Sequence, residues 1–174
     1  MRRLFVLLVC FIGLALMTQG CEETQITPNS ATASSEASEY GARPAANTID
    51  GNLATNWSPL LADCTSSDGS WLELGFDEAY SFGRMVLHVN LDNGVTQLPR
   101  AGSYTIKDSA DATLATGSYT ATDTSKEITL TKSSTNKLKI IFAAVADVPA
   151  DPTGIACPHV NEVETFKAKI LGIF

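Results

Sequence analysis

Asp50-Gly51-Asn52 sets a carboxylate, a residue free to take positive φ and a side-chain amide in succession. Asn47 stands just before this triplet, and Thr55 adds a hydroxyl and a carbonyl just after it. The chemistry on offer is oxygen ligation. A hard cation such as calcium takes about six to eight oxygens, many of them backbone carbonyls, and a tight loop of this kind supplies most of them. The same residues also make a plain turn capped by Asp and Asn side chains. Composition alone leaves both readings open.

Catalytic chemistry has little support. Two histidines are present, and neither a G-x-S-x-G nor an H-E-x-x-H sequence occurs. Carboxylates are plentiful, but a small domain with short loops offers little depth for a cleft. The chain is therefore read as a non-enzyme. Its formal net charge of −7 and the lack of any basic run speak against nucleic acid and against electrostatic attachment to anionic lipid.

The elements that must position these residues come next. Most of the 174 residues fit one domain. Trp71–Phe76 (WLELGF) alternates, with Leu72, Leu74 and Phe76 on one face. Arg84–Leu91 does the same through Met85, Leu87, Val89 and Leu91. Ser103–Asp108, Lys126–Thr131 and Asn136–Ala143 give three more strands, and Val160 onward closes the chain as one or two. Asn29–Ala46 reads as one short strand followed by loop. Turn signals stand between the runs at Ser67-Asp68-Gly69, Asp92-Asn93-Gly94, Ala101-Gly102, Asp123-Thr124 and Ser133-Ser134. No segment after residue 21 has a helical period. The pattern predicts an all-β antiparallel sandwich or barrel.

Residues 1–20 stand apart. Arg2 and Arg3 precede an unbroken apolar run, Leu4–Met17, of signal-peptide length and short for a membrane span. The chain is expected to be exported, to a cell envelope or beyond it. Thr18-Gln19-Gly20-Cys21 is similar to a bacterial lipobox, with Thr18 and Gln19 departing from the usual pattern, so Cys21 is a candidate for lipidation. Ordinary cleavage after Gly20 is the alternative. Residues 21–28 read as a tether and 29–174 as the domain. Cys21, Cys64 and Cys157 remain after cleavage, an odd number for an oxidising compartment. With lipid on Cys21, Cys64 and Cys157 are left to pair across a loop of about 90 residues.

The order ATASSE, RPAANTIDGNLATNW, WLELGF, RMVLHVN, YTIKDS, LKIIF, VNEVETF resembles the discoidin family, the coagulation factor 5/8 type C domains, which are similar to family 32 carbohydrate-binding modules. Ala33-Ser34-Ser35, Asp50-Gly51, Thr55 with Trp57, Trp71-Leu72, Tyr104 and Val160-Asn161-Glu162-Val163 carry the resemblance, which spans about residues 27 to 168. It implies a galactose-binding-like jelly-roll β-sandwich of about eight strands, with no catalysis. It also implies a structural calcium held by Asp50, Thr55 and Glu162, with carbonyls of Asn47 and Asn52 completing the shell. Trp57 and Trp71 are expected in the core.

Ligands of such domains dock on loops at one end of the sandwich. The expected partner is a carbohydrate, galactose-like glycans among them, with a surface protein as the alternative. A stacking ring is missing from the three long loops, 58–70, 90–102 and 143–159, apart from what Trp71 offers at a strand start. The polar candidates for binding hydroxyls are His88, Asp92, Asn93 and Arg100. Leu60-Leu61 is the one candidate membrane spike, without basic residues behind it.

Overall fold

The computed structural model describes residues 23–38, 42–64, 66–91, 101–143 and 157–168. Eight strands run through them: β1 (Gln25–Ile26), β2 (Ser30–Ala33), β3 (Ser70–Val89), β4 (Gly102–Asp108), β5 (Thr113–Tyr119), β6 (Ser125–Thr129), β7 (Ser134–Phe142) and β8 (Val160–Lys167). A 3-10 turn, Ala45–Thr48, and a one-turn helix α1, Leu61–Cys64, are the helical pieces. Every strand pairing is antiparallel. The expected jelly-roll sandwich is present.

The two alternating runs belong to one strand, which takes in 71–76 and 84–89; Asn90, at φ +56°, ends it, so Leu91 lies beyond the strand it was read into. The first part of β3 pairs with β2 and β7, and its second part pairs with β6 and β8. One sheet is thus β2-β3-β7-β4-β5, the other β1-β8-β3-β6. Register breaks between Gly75 and Tyr80, where Asp77, Glu78 and Ala79 are exposed. An irregularity of this kind bends a strand and increases its twist. Phe76, Tyr80 and Phe82 pack together at the bend, with the Phe76 and Phe82 rings 4.7 Å apart.

Both ends of β3 therefore return to the same end of the sandwich. Ser70 pairs with Phe142, Val89 pairs with Val160, and Trp57 joins the two places. Trp57 bridges Val160 through its backbone, and its ring lies 5.9 Å from that of Phe142. The inward positions of the alternation make the core: Leu72, Leu74, Met85, Leu87, Val89, Tyr104, Ile106, Leu138, Ile140 and Phe142 are all buried. Burying each such large apolar side chain contributes roughly 1.5–3 kcal/mol before entropy is counted.

Two strands were not expected. β5 carries only Leu114 and Tyr119 as buried large apolar residues, and Gly117 lies against the Tyr104 ring, so no alternation announces it. β1 falls in the stretch read as a tether. Its two residues pair with Phe166 and Thr165 of β8, a contact too short to leave a period. The signal segment, Cys21 and residues 169–174 lie outside the described residues.

Candidate functional site

The oxygen-rich loop folds as a self-bonded turn pinned to β8. Asp50 Oδ1 accepts from the Asn52 N–H at 2.8 Å, and Asp50 Oδ2 accepts from the Thr55 hydroxyl at 2.8 Å. Asn52 Oδ1 accepts from the Ala54 N–H. Gly51 takes φ +73°, which only glycine adopts without strain, and its N–H donates to Glu162 Oε2 at 3.1 Å. Asp50, Thr55 and Glu162 are thus brought to one place, although 111 residues separate Gly51 from Glu162.

Burial pushes the Glu162 carboxyl up to about 7. The Gly51 N–H opposes this, and the charges of Asp50 and Glu164 add to it. An exposed carboxylate and a buried one close enough to feel each other's charge, with a hydroxyl on Asp50, are a donor set that fits a hard cation. Asp50 and Glu162 would supply the charge, and Thr55 a neutral oxygen. Among the described residues no group of three or more His, Cys, Asp or Glu side chains gathers for a metal, so the remaining ligands would have to be carbonyls.

The two asparagines named for their carbonyls differ in what they do here. The Asn52 carbonyl accepts from both the N–H and the hydroxyl of Thr55, so it closes the turn. Asn47 uses its side-chain amide to donate to the Asn56 carbonyl at 2.8 Å. The residue that sequence reasoning passed over is Asn161. It is fully buried, its amide donates to the carbonyls of Leu53 and Thr55 at 3.0 and 3.2 Å, and its Oδ1 accepts from the Leu91 N–H. Its place beside Glu162 in the closing motif was the available signal.

One end of the sandwich collects the loops, because both ends of β3 lie there. The described residues 34–38, 42–64 and 66–69 lie at it, as do Leu91, Ala101, Ala143 and Cys157. The β5–β6 turn joins it, since Asn90 donates to the Asp123 carbonyl and the Val89 N–H to that of Thr124. Cys64 and Cys157 form a disulfide across this end, with Cα atoms 5.3 Å apart.

A buried polar layer underlies the same end. Trp57 points into the core, so by alternation its neighbours Asn56 and Ser58 face the other way. Both are buried, as is Arg43. The Asn56 side chain, Ser58 Oγ and Arg43 Nη2 meet no hydrogen-bond partner among the described residues. Burial lowers the Arg43 guanidinium from its ordinary value. Unused donors and acceptors in such a place have a cost that a polar ligand or water relieves.

Of the residues proposed for ligand binding, Asp92, Asn93 and Arg100 lie outside the described residues. His88 stands on the outward face of β3, opposite Glu162, with Nε2 3.3 Å from Glu164 Oε1. Its ring is thus engaged by a β8 carboxylate. Trp57 is fully buried and donates from Nε1 to the Ser35 carbonyl. Trp71 is not a core residue. Leu72 and Leu74 take the inner face, so the Trp71 ring stands partly exposed on the outer one, under the Lys139 ammonium.

This architecture has solved counterparts. The family 32 module of AlyQ, in complex with 4,5-unsaturated mannuronic acid, matches with a TM-score of 0.61 at 19% identity, over 83% of this chain and 99% of that one. The fold is that of a family 32 carbohydrate-binding module. A family 32 module from C. perfringens NanJ, in complex with galactose, matches with a TM-score of 0.61 at 18% identity, over 83% of this chain and 99% of that one. A truncated AlyQ with its module and alginate lyase domains matches at 0.62 and 18%; the match covers 86% of this chain and 35% of that longer one. No protein-family model matches the sequence, and no curated protein does.

Proposed function

We propose that this chain is a non-catalytic carbohydrate-recognition module of an exported protein, and that it takes its glycan at the loop end. One observation carries the reading: the unpartnered polar groups of Arg43, Asn56 and Ser58 beneath an end where the loops converge. Sugars are recognised by directional hydrogen bonds to hydroxyls, and these groups, none more than 5% exposed, would supply them where glycan binding opens the end that covers them. The fold shared with modules solved with galactose and with unsaturated mannuronic acid supports it.

Calcium belongs to the same proposal. Held by Asp50, Thr55 and Glu162, it would neutralise both carboxylates and clamp the loop to β8. Export by the N-terminal segment, with lipid on Cys21, completes it. Mass spectrometry of the mature N-terminus tests that part, and an unmodified Cys21 rejects it.

The glycan reading is tested by an array probed with calcium-loaded protein. Retention of a defined sugar, weakened in Ser58→Ala, is the expected result. A surface-protein partner is the second reading, favoured by Leu53 and Leu60, which are 46% and 42% exposed at this end. An array blank for every glycan would shift the case to that reading.

A further inference from the structure

The outer faces of the two sheets carry opposite charge. On the β1-β8-β3-β6 sheet the outward side chains include Glu127, Glu162 and Glu164, joined by Glu23, around Arg84. The outer face of the other sheet holds Lys107, Lys137 and Lys139, because Ile106, Leu138 and Ile140 take the inner positions. Its acids are Glu73, bonded to Lys137 at 2.8 Å, and Asp111 at the rim, bonded to Lys107. These three lysines gather on one face of a chain whose net charge is −7.

The same face carries the one partly exposed tryptophan. Trp71, Ile141 and Thr105 lie in a row across β3, β7 and β4, and Glu73, Lys139 and Lys107 form the next row. The Lys139 ammonium stands 4.4 Å from the Trp71 ring centroid. The three strands carrying these rows, at about 4.8 Å spacing, set them across roughly 10 Å of the face.

We propose that this face is a second binding surface, distinct from the loop end, and that its ligand is an acidic polysaccharide bearing carboxylates along its length. The ring and Ile141 offer apolar area to sugar C–H groups, and the three ammonium groups meet carboxylates. The present acids yield cheaply. Each pair has one well-exposed member, Lys137 at 51% against Glu73 at 28% and Asp111 at 78% against Lys107 at 25%, and ion pairs open to water on one side are weak, so a ligand carboxylate can replace Glu73 or Asp111. Neutral sugars gain only hydroxyl hydrogen bonds from the lysines, whereas carboxylates gain stronger bonds between opposite charges, which is why the charge selects the ligand class.

Affinity electrophoresis of the mature chain in gels cast with polygalacturonate, with neutral galactan or with no polymer tests this. Polygalacturonate is expected to retard the chain, less so as salt rises. The double variant Lys137→Ala/Lys139→Ala is expected to weaken that binding about tenfold or more, the loss of one or two charge-assisted contacts. Trp71→Ala should weaken it too, and Trp71→Tyr should retain part of it; unchanged melting of the lysine variant shows that it is folded. Ser58→Ala, which addresses the loop end, should leave polygalacturonate retardation intact, so the two sites fail separately. No retardation, retardation unchanged in the lysine variant, equal retardation by a DNA oligonucleotide, or a light-scattering dimer that the lysine substitutions dissociate would each overturn the proposal.

Discussion

Asn161 and Glu162 occupy neighbouring positions and bind the same loop by different chemistry. Asn161 is a neutral staple. Replacing it with alanine strips partners from two part-buried carbonyls and one part-buried N–H, for a destabilisation of about 1–3 kcal/mol. Chemical denaturation of Asn161→Ala measures this, and a loss under about 1 kcal/mol contradicts the staple. Glu162 is a charged one, and its sign differs. Its ordinary value is 4.5 and its folded value about 7. The folded state therefore holds the proton more tightly than the unfolded chain does. That contribution to stability is complete below about 4.5 and is lost as pH climbs through about 7. Metal-free protein should thus lose melting temperature across this window, and Glu162→Gln should flatten the slope while abolishing any response to calcium. An unaltered slope in the variant rules out Glu162 as its source.

At the scale of elements, two joints hold the loop end. The disulfide ties α1 to the start of β8's approach across a separation of 93 residues. In the chain-entropy account, closing a loop of that size contributes about 4 kcal/mol through the unfolded state. Reduction, or Cys64→Ser with Cys157→Ser, should lower the denaturation midpoint accordingly; an unchanged midpoint means the loop end holds without it. The second joint is the turn into β3. Gly69 takes φ +69°, and a Cβ there would run into the Phe142 carbonyl. Gly69→Ala should cost about 2 kcal/mol or more, since backbone, not a flexible side chain, would have to move. A melt within a degree of the parent would deny that close approach.

For the molecule as a whole, the bend in β3 gives the sandwich a direction. Loops gather at one end, while β1 is bound at the other. Glu23 reaches Arg84 at 2.7 Å, and the Lys167 N–H donates to the Thr24 carbonyl, near the exposed bend at Asp77. With lipid on Cys21, the loop end faces away from the bilayer. A fluorophore on Asp77→Cys should then be quenched by lipid-embedded quencher and one on Leu53→Cys should not; equal quenching would reject this orientation. Sequence by itself determined the all-strand character, because alternation at Leu72–Leu74, Met85–Val89 and Leu138–Phe142 follows from the two-residue repeat of any strand. It also marked the Asp50 loop and its distant closing motif. It could not show that 71–76 and 84–89 are one strand, since a bend leaves no period, nor that Asn161 stitches the loop, since an amide's partners are backbone groups without sequence identity. Nor could it show the lysine face. Lys137 and Lys139 share a face of β7 while Lys107 lies on β4, and only the register of β4 against β7, and of β7 against β3, sets all three beside Trp71.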